Sequence, residues 1–170
     1  MIMHWSTTLA FLSALSGCTD RFGPIPDAPS LQGPPFLTAE VNGRPWEPGT
    51  APGQLTLFFG THRLAITADR ALAEASGVER LQLELETPIP PQPGSYVLDN
   101  GLDAFATMTT YTDGQVTGAV TTTAQHGGTL VMAEVSRADD LLTGAFRFEA
   151  VSFDGRVLRQ VRGAFRLRFP

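Results

Sequence analysis

Leu81-Gln82-Leu83-Glu84-Leu85-Glu86 alternates apolar and polar residues without a break. Successive side chains of a strand point to opposite sides. The three leucines therefore face a core, and Gln82, Glu84 and Glu86 face water, as on a sheet buried on one side only. Pro88, Pro90, Pro91 and Pro93 end the run. The same period of two recurs on both sides of it. Leu37, Ala39 and Val41 alternate with Thr38 and Glu40, and Asn42-Gly43 supplies a hairpin turn. Further strands are expected at 55–59 and 64–68, joined by Gly60-Thr61-His62, then at 94–98, 104–111, 115–122, 129–135 and 144–151. The last, 161–169, directs Val161, Gly163, Phe165, Leu167 and Phe169 inward and Arg162, Ala164, Arg166 and Arg168 outward. Only Arg70 to Ser76 has helix-favouring composition, and Gly77 stops it, so one short helix is expected at 70–76. Many short strands between turn residues predict an all-β, antiparallel β-sandwich, with a small β-barrel as the alternative. No repeat of fixed period points to a propeller or solenoid.

Length and composition agree with one such domain. The chain has 170 residues, 42% of them apolar and 17% charged, which suffices for a packed core and is too apolar for a solvated disordered chain. Its net charge of -5 argues against a dedicated nucleic-acid binder. The single cysteine excludes a disulfide scaffold and a thiolate zinc site.

That cysteine closes the segment Leu9-Ala10-Phe11-Leu12-Ser13-Ala14-Leu15-Ser16-Gly17-Cys18. The apolar run is too short to span a bilayer and has the length of a signal-peptide core. Leu15-Ser16-Gly17-Cys18 resembles the bacterial lipobox: an aliphatic residue, two small ones that let a peptidase approach, and a thiol free to take a diacylglycerol. The amino-terminal Met1-Ile2-Met3-His4-Trp5 departs from the pattern in having no Lys or Arg. The reading divides the chain into a signal peptide (1–17), an acylated Cys18 with a proline-rich tether (18–35) and a β domain (36–170). It implies anchoring through acyl chains on Cys18. Thr19 follows in place of the Asp that resembles an inner-membrane retention signal, which favours the outer membrane, facing the periplasm or the cell surface. Pro24, Pro26, Pro29, Pro34 and Pro35 make the tether a semi-rigid spacer reaching up to about 50 Å.

Phe36 to Trp46 (FLTAEVNGRPW) resembles the V-N-G-x-x-W opening of a family of small, uncharacterised lipoproteins. Pro93-Gly94-Ser95-Tyr96, Leu142-Thr143-Gly144-Ala145-Phe146-Arg147-Phe148 and Val161-Arg162-Gly163-Ala164-Phe165 are similar to its later strands. The resemblance implies the fold and the address. That family has no established activity, so it implies no chemistry.

Candidate chemistry is sparse, and a non-enzymatic binding or envelope-structural role is the expectation, with no cofactor. His62 and His126 are each placed in a turn beside Gly, without the converging ligands zinc needs. Asp99-Asn100-Gly101-Leu102-Asp103 resembles a fragment of a calcium loop and is also a plain turn; Asp99 and Asp103 are the only weak metal candidates. Trp46 is expected to pack over the sandwich edge. A surface-tethered hydrolase or metal-dependent enzyme is the alternative function, using those aspartates or Glu84 and Glu86, about 7 Å apart on one strand face. Charge is distributed unevenly: residues 137–170 carry seven Arg against four acids, and 1–136 carry five Arg against thirteen. Arg162, Arg166 and Arg168, with Arg147 nearby, form a stripe that could meet an anionic lipid, glycan or protein partner. The same stripe could instead pair across strands with Glu84, Glu86 or Glu149.

Overall fold

Two phenylalanine–glycine rungs sit at the centre of the molecule. In this computed structural model, which describes residues 23–49, 54–58, 61–73, 76–101 and 103–168, β10 (Leu141–Val151) and β11 (Leu158–Arg168) pair antiparallel over their whole length. Their register sets Gly144 opposite Phe165 and Phe146 opposite Gly163. Each ring lies over the facing glycine: a Cβ on Gly163 would come 2.5 Å from Phe146, and one on Gly144 2.5 Å from Phe165. The rings stack at 6.4 Å between centroids, and neither is exposed. Only glycine allows so close an approach.

From this pair the sheet forks. On one edge β11 takes β1 (Phe36–Val41), and β1 takes β2 (Arg44–Trp46) through the Asn42-Gly43 turn, both of whose residues have positive φ. On the other edge β10 pairs first with β9 (Gly128–Ser136), which carries β6 (Gly94–Leu98). At Val151, β10 pairs instead with Thr121 of β8 (Gln115–Thr121). The second wing continues β8, β7 (Ala104–Thr112), β5 (Val78–Thr87), β4 (Thr61–Ala71) and β3 (Gln54–Phe58). All pairings are antiparallel, and the two wings face each other across one core in a sandwich-like arrangement. Leu37, Leu130, Met132, Phe146, Phe148 and Phe165 enter that core from the first wing; Ile66, Leu81, Leu83, Leu85 and Met108 enter from the second. The β-rich reading and the leucine parity of residues 81–86 hold.

Three expectations change. No helix forms at 70–76 among the described residues: β4 runs on to Ala71, and a turn follows. Arg70 stands opposite Glu79 across β4 and β5, and that cross-strand ion pair outweighs the helix propensity of its neighbours. His62 is on β4 and half-buried, not in a turn. Residues 23–35 do not stand away from the domain. They run as an irregular strap along the outer face of β11 and β10, back toward the rung shared by Arg147 and Arg162. Ala164 and Arg166 point outward as expected, yet the strap buries them.

Candidate functional site

The hairpin turns at 42–43, 72–77, 113–114 and 152–157 share one end of the sandwich. There the inner faces stop being apolar. Arg70, Glu79, Thr110 and Gly118 form one rung across β4, β5, β7 and β8. Opposite them, Arg159 shares a rung with the buried Ala150 and, two residues before Val161, points inward as well. Trp46 reaches this layer from β2 and is 1% exposed.

Glu79 organises the layer. Its Oε2 accepts a hydrogen bond from Trp46 Nε1 at 2.7 Å and another from an Arg70 terminal nitrogen at 2.7 Å. The Arg70 guanidinium also lies 5.6 Å from the Trp46 ring centre, in cation–π range. A buried carboxylate so held ties the β2 edge of one wing to the second wing. Arg70 Nε is buried and has no partner among the described residues. Beside this cluster lies a cavity of about 310 Å³, with Met108 and Val120 as its apolar floor and Glu79, Thr110 and Arg159 on its walls. Thr117, Ser152 and Val157 form its rim. The half-buried Arg159 guanidinium makes no ion pair or hydrogen bond among the described residues, so it is open to an anion entering the cavity. Chemically, the cavity suits a small apolar group that ends in an anion.

The residues singled out from sequence lie elsewhere. Arg162 pairs with Glu40, its cross-strand neighbour, with Nε 2.8 Å from Oε2, so the compensating acid is none of Glu84, Glu86 or Glu149. Arg166 donates to the carbonyls of Ser30 (2.7 Å) and Pro34 (3.0 Å) and lies 5.2 Å from the Phe36 ring centre. Arg147 donates to the Gly23 carbonyl at 2.9 Å. Proline-rich backbone leaves its carbonyls without partners of its own, and Arg147 and Arg166 supply donors to three of them. Gly33, at φ 106°, lets Arg166 come within 2.6 Å of where a Cβ would stand. Arg168 is exposed. A cleft of about 500 Å³ remains between Pro24 and Pro26 of the strap and Thr38, Glu40 and Arg162 of the sheet.

Glu84 is buried and ion-paired to Arg63, with Nε 2.7 Å from Oε2, whereas Glu86 is exposed. The two do not converge on a shared pocket. Asp99 caps its own turn by accepting from the Gly101 amide at 2.8 Å, and Asn100 takes the left-handed conformation, φ 60°. With Asp103 it forms no group of three potential ligands, and no such group exists among the described residues. His126 bonds Glu149, Nδ1 to Oε2, at 3.1 Å. Trp46 covers the sandwich edge as expected. The signal-peptide and lipidation readings at residues 1–18 lie outside the described residues.

Sequence reasoning missed Glu79, Arg70 and Arg159. The signal was available: the inward parity of Leu81 and Val161, carried two residues back, selects Glu79 and Arg159. The fold and this site define the class of protein, an all-β antiparallel domain with a polar-mouthed internal cavity. No protein-family model, no curated protein and no solved structure matches the chain.

Proposed function

We propose that the chain is a bacterial outer-membrane lipoprotein, anchored through acyl chains on Cys18, whose β domain binds a small amphiphilic anion in the cavity beside Arg159. The anchor rests on the lipobox residues Leu15-Ser16-Gly17-Cys18. The observation that carries the binding reading is the unpaired Arg159 guanidinium above the apolar floor of Met108 and Val120. Arg159 is half-buried, so an anion in the cavity would meet a partly desolvated guanidinium and gain a charge-assisted hydrogen bond. Glu79, on the same cavity, is bonded through Oε2 to Arg70 and Trp46 and not to Arg159. Binding, not catalysis, suits a protein whose best carboxylate candidates are committed, Glu84 to Arg63 and Asp99 to its own turn.

Calorimetry with decanoate, and with decanol as the neutral control, tests the site. Decanoate should bind with one-to-one saturation and decanol should not. The variant Arg159→Gln should lose about tenfold or more in affinity, the scale of a charge-assisted hydrogen bond, at an unchanged thermal midpoint. Equal binding of the two probes, binding of neither, or an unaffected Arg159→Gln variant would overturn the site.

A further inference from the structure

Among the described residues six large apolar side chains are exposed, and four of them belong to two hairpins at the mouth end. Val116 lies on β8 just after the 113–114 turn; Phe153 and Val157 belong to the connection from β10 to β11, and Leu158 opens β11. Phe153 is fully exposed, at the tip of a turn that Ser152, Asp154 and Gly155 hold by their own hydrogen bonds. Both hairpins border the same cavity, which Val157 lines, and Phe153 lies over the neighbouring cleft beside Ala119 and Val151, so the apolar residues cluster at one end of the sandwich. Contiguous exposed apolar surface marks an interaction site.

The strap indicates what lies there. It runs backward from Pro34 and Ser30, beside Arg166, to Gly23, beside Arg147 and Arg162. Over the described residues it runs toward the mouth end and stops at Gly23. Four residues lie between Cys18 and Gly23, and the five Cα steps from one to the other cover at most about 18 Å. From the Arg147–Arg162 rung to the last rung, Val151–Leu158, is four residues, or about 13 Å of strand. The opposite end, at rung Leu141–Arg168, is six residues off, or about 20 Å. The mouth end is the nearer of the two and lies well within that length.

We infer that the mouth end is seated on the lipid bilayer, with Phe153, Val116 and Val157 in the interfacial region and the cavity opening toward the membrane. The inference rests on the reading of Cys18 as the acylated anchor. A docked strap turns what would be a spacer into a short leash, and a short leash with one apolar rim fixes a single orientation. Aromatic and aliphatic side chains at hairpin tips enter the headgroup and acyl boundary to about 5–10 Å. Arg156, on the same connection and largely exposed beside Asp154, adds a cation near this end.

The test uses acylated full-length protein reconstituted in phosphatidylethanolamine–phosphatidylglycerol vesicles with brominated acyl chains. Phe153→Trp and Ile89→Trp place a fluorophore at the mouth end and on the loop after β5, and the native Trp46 background is subtracted with wild type. The Phe153→Trp emission should shift to the blue and be quenched at least about twofold more than that of Ile89→Trp, as interfacial depth requires. Equal quenching of the two, in protein whose mass shows acylated Cys18, would overturn the seating and leave the anchor standing. A blue shift without quenching, with a doubled mass in solution, would assign the rim to a second copy and overturn it too. Protein that lacks acyl mass and does not float with vesicles would instead remove the anchor, and the seating with it.

Discussion

The two ends of the core are built on opposite principles. Toward the 137–140 turn, Phe146, Phe165, Leu142, Leu130 and Met132 pack with no polar atom among their side chains. At the mouth, one rung holds Arg70, Glu79 and Thr110, with Trp46 and Arg159 opposite. The same strands run through both ends, so strand propensity does not make the difference. Apolar burial contributes about 25 cal/mol per Å², whereas a buried ion pair roughly cancels its own desolvation. The dry end stabilises the fold; the wet end gives up stability for a charged cavity. Mutation should separate these roles.

The largest effect is expected at the dry end. Phe165→Ala removes a ring that is 0% exposed and uncovers Gly144, and should cost about 3–5 kcal/mol, measured by denaturant unfolding. A loss below about 1 kcal/mol would mean that the two phenylalanine–glycine rungs are not where stability resides.

At the wet end the sign of the effect depends on how much is removed. Glu79→Ala leaves Arg70 and the Trp46 indole N–H without their acceptor, and should cost about 2–3 kcal/mol, somewhat below a fully buried pair because Arg70 is 35% exposed. Adding Arg70→Leu should recover part of that loss, because the second substitution removes the stranded charge. If the double variant is less stable than Glu79→Ala alone, the layer is a structural clasp between the wings and the contrast between the two ends fails.

The dry end was legible from residues, and the wet end was not, for a physical reason. Leu81, Leu83 and Leu85 announce their face by alternation, as do Phe165 and Leu167. Glu79 and Arg159 continue the same parity, but a charged residue at an inward position reads as the end of a strand, so the strands seemed to begin at 81 and 161. Arg70 was hidden by the helix-favouring alanines around it, whose preference amounts to a few tenths of a kcal/mol each. The strap was invisible for another reason. Nothing in Pro24, Pro26 or Pro29 says whether a proline-rich segment points to solvent or lies on a sheet; Arg147 on β10 and Arg166 on β11 decide it. Outward Arg at 147, 162 and 166 was the readable half of that contact.

The smallest effect compares two neighbouring rungs with the same chemistry. Asp69–Arg80 lies one step along β4 and β5 from Arg70–Glu79 and points to the opposite, outer face. Its geometry is the better one, with two parallel bonds of 2.8 Å and Arg80 5.5 Å from the Tyr111 ring centre. Burial is what differs: the Asp69 side chain is 31% exposed and the Arg80 side chain 39%. Hydrogen bonding to the Arg80 guanidinium holds the Asp69 carboxyl below its ordinary value, against an opposing contribution from burial. A lowered folded-state pKa adds stability above the unfolded value, about 3.9, which disappears as pH falls through the folded one. Asp69→Asn should therefore cost less than about 1 kcal/mol at neutral pH, as exposed pairs do. It should also flatten the decline of stability below about pH 4. Thermal unfolding of both proteins between pH 2 and 7, a window set by that carboxylate value, checks this. If Asp69→Asn costs as much as Glu79→Ala, bidentate geometry and not burial sets the worth of these pairs, and the difference between the two ends would have to be assigned to hydrogen bonding instead.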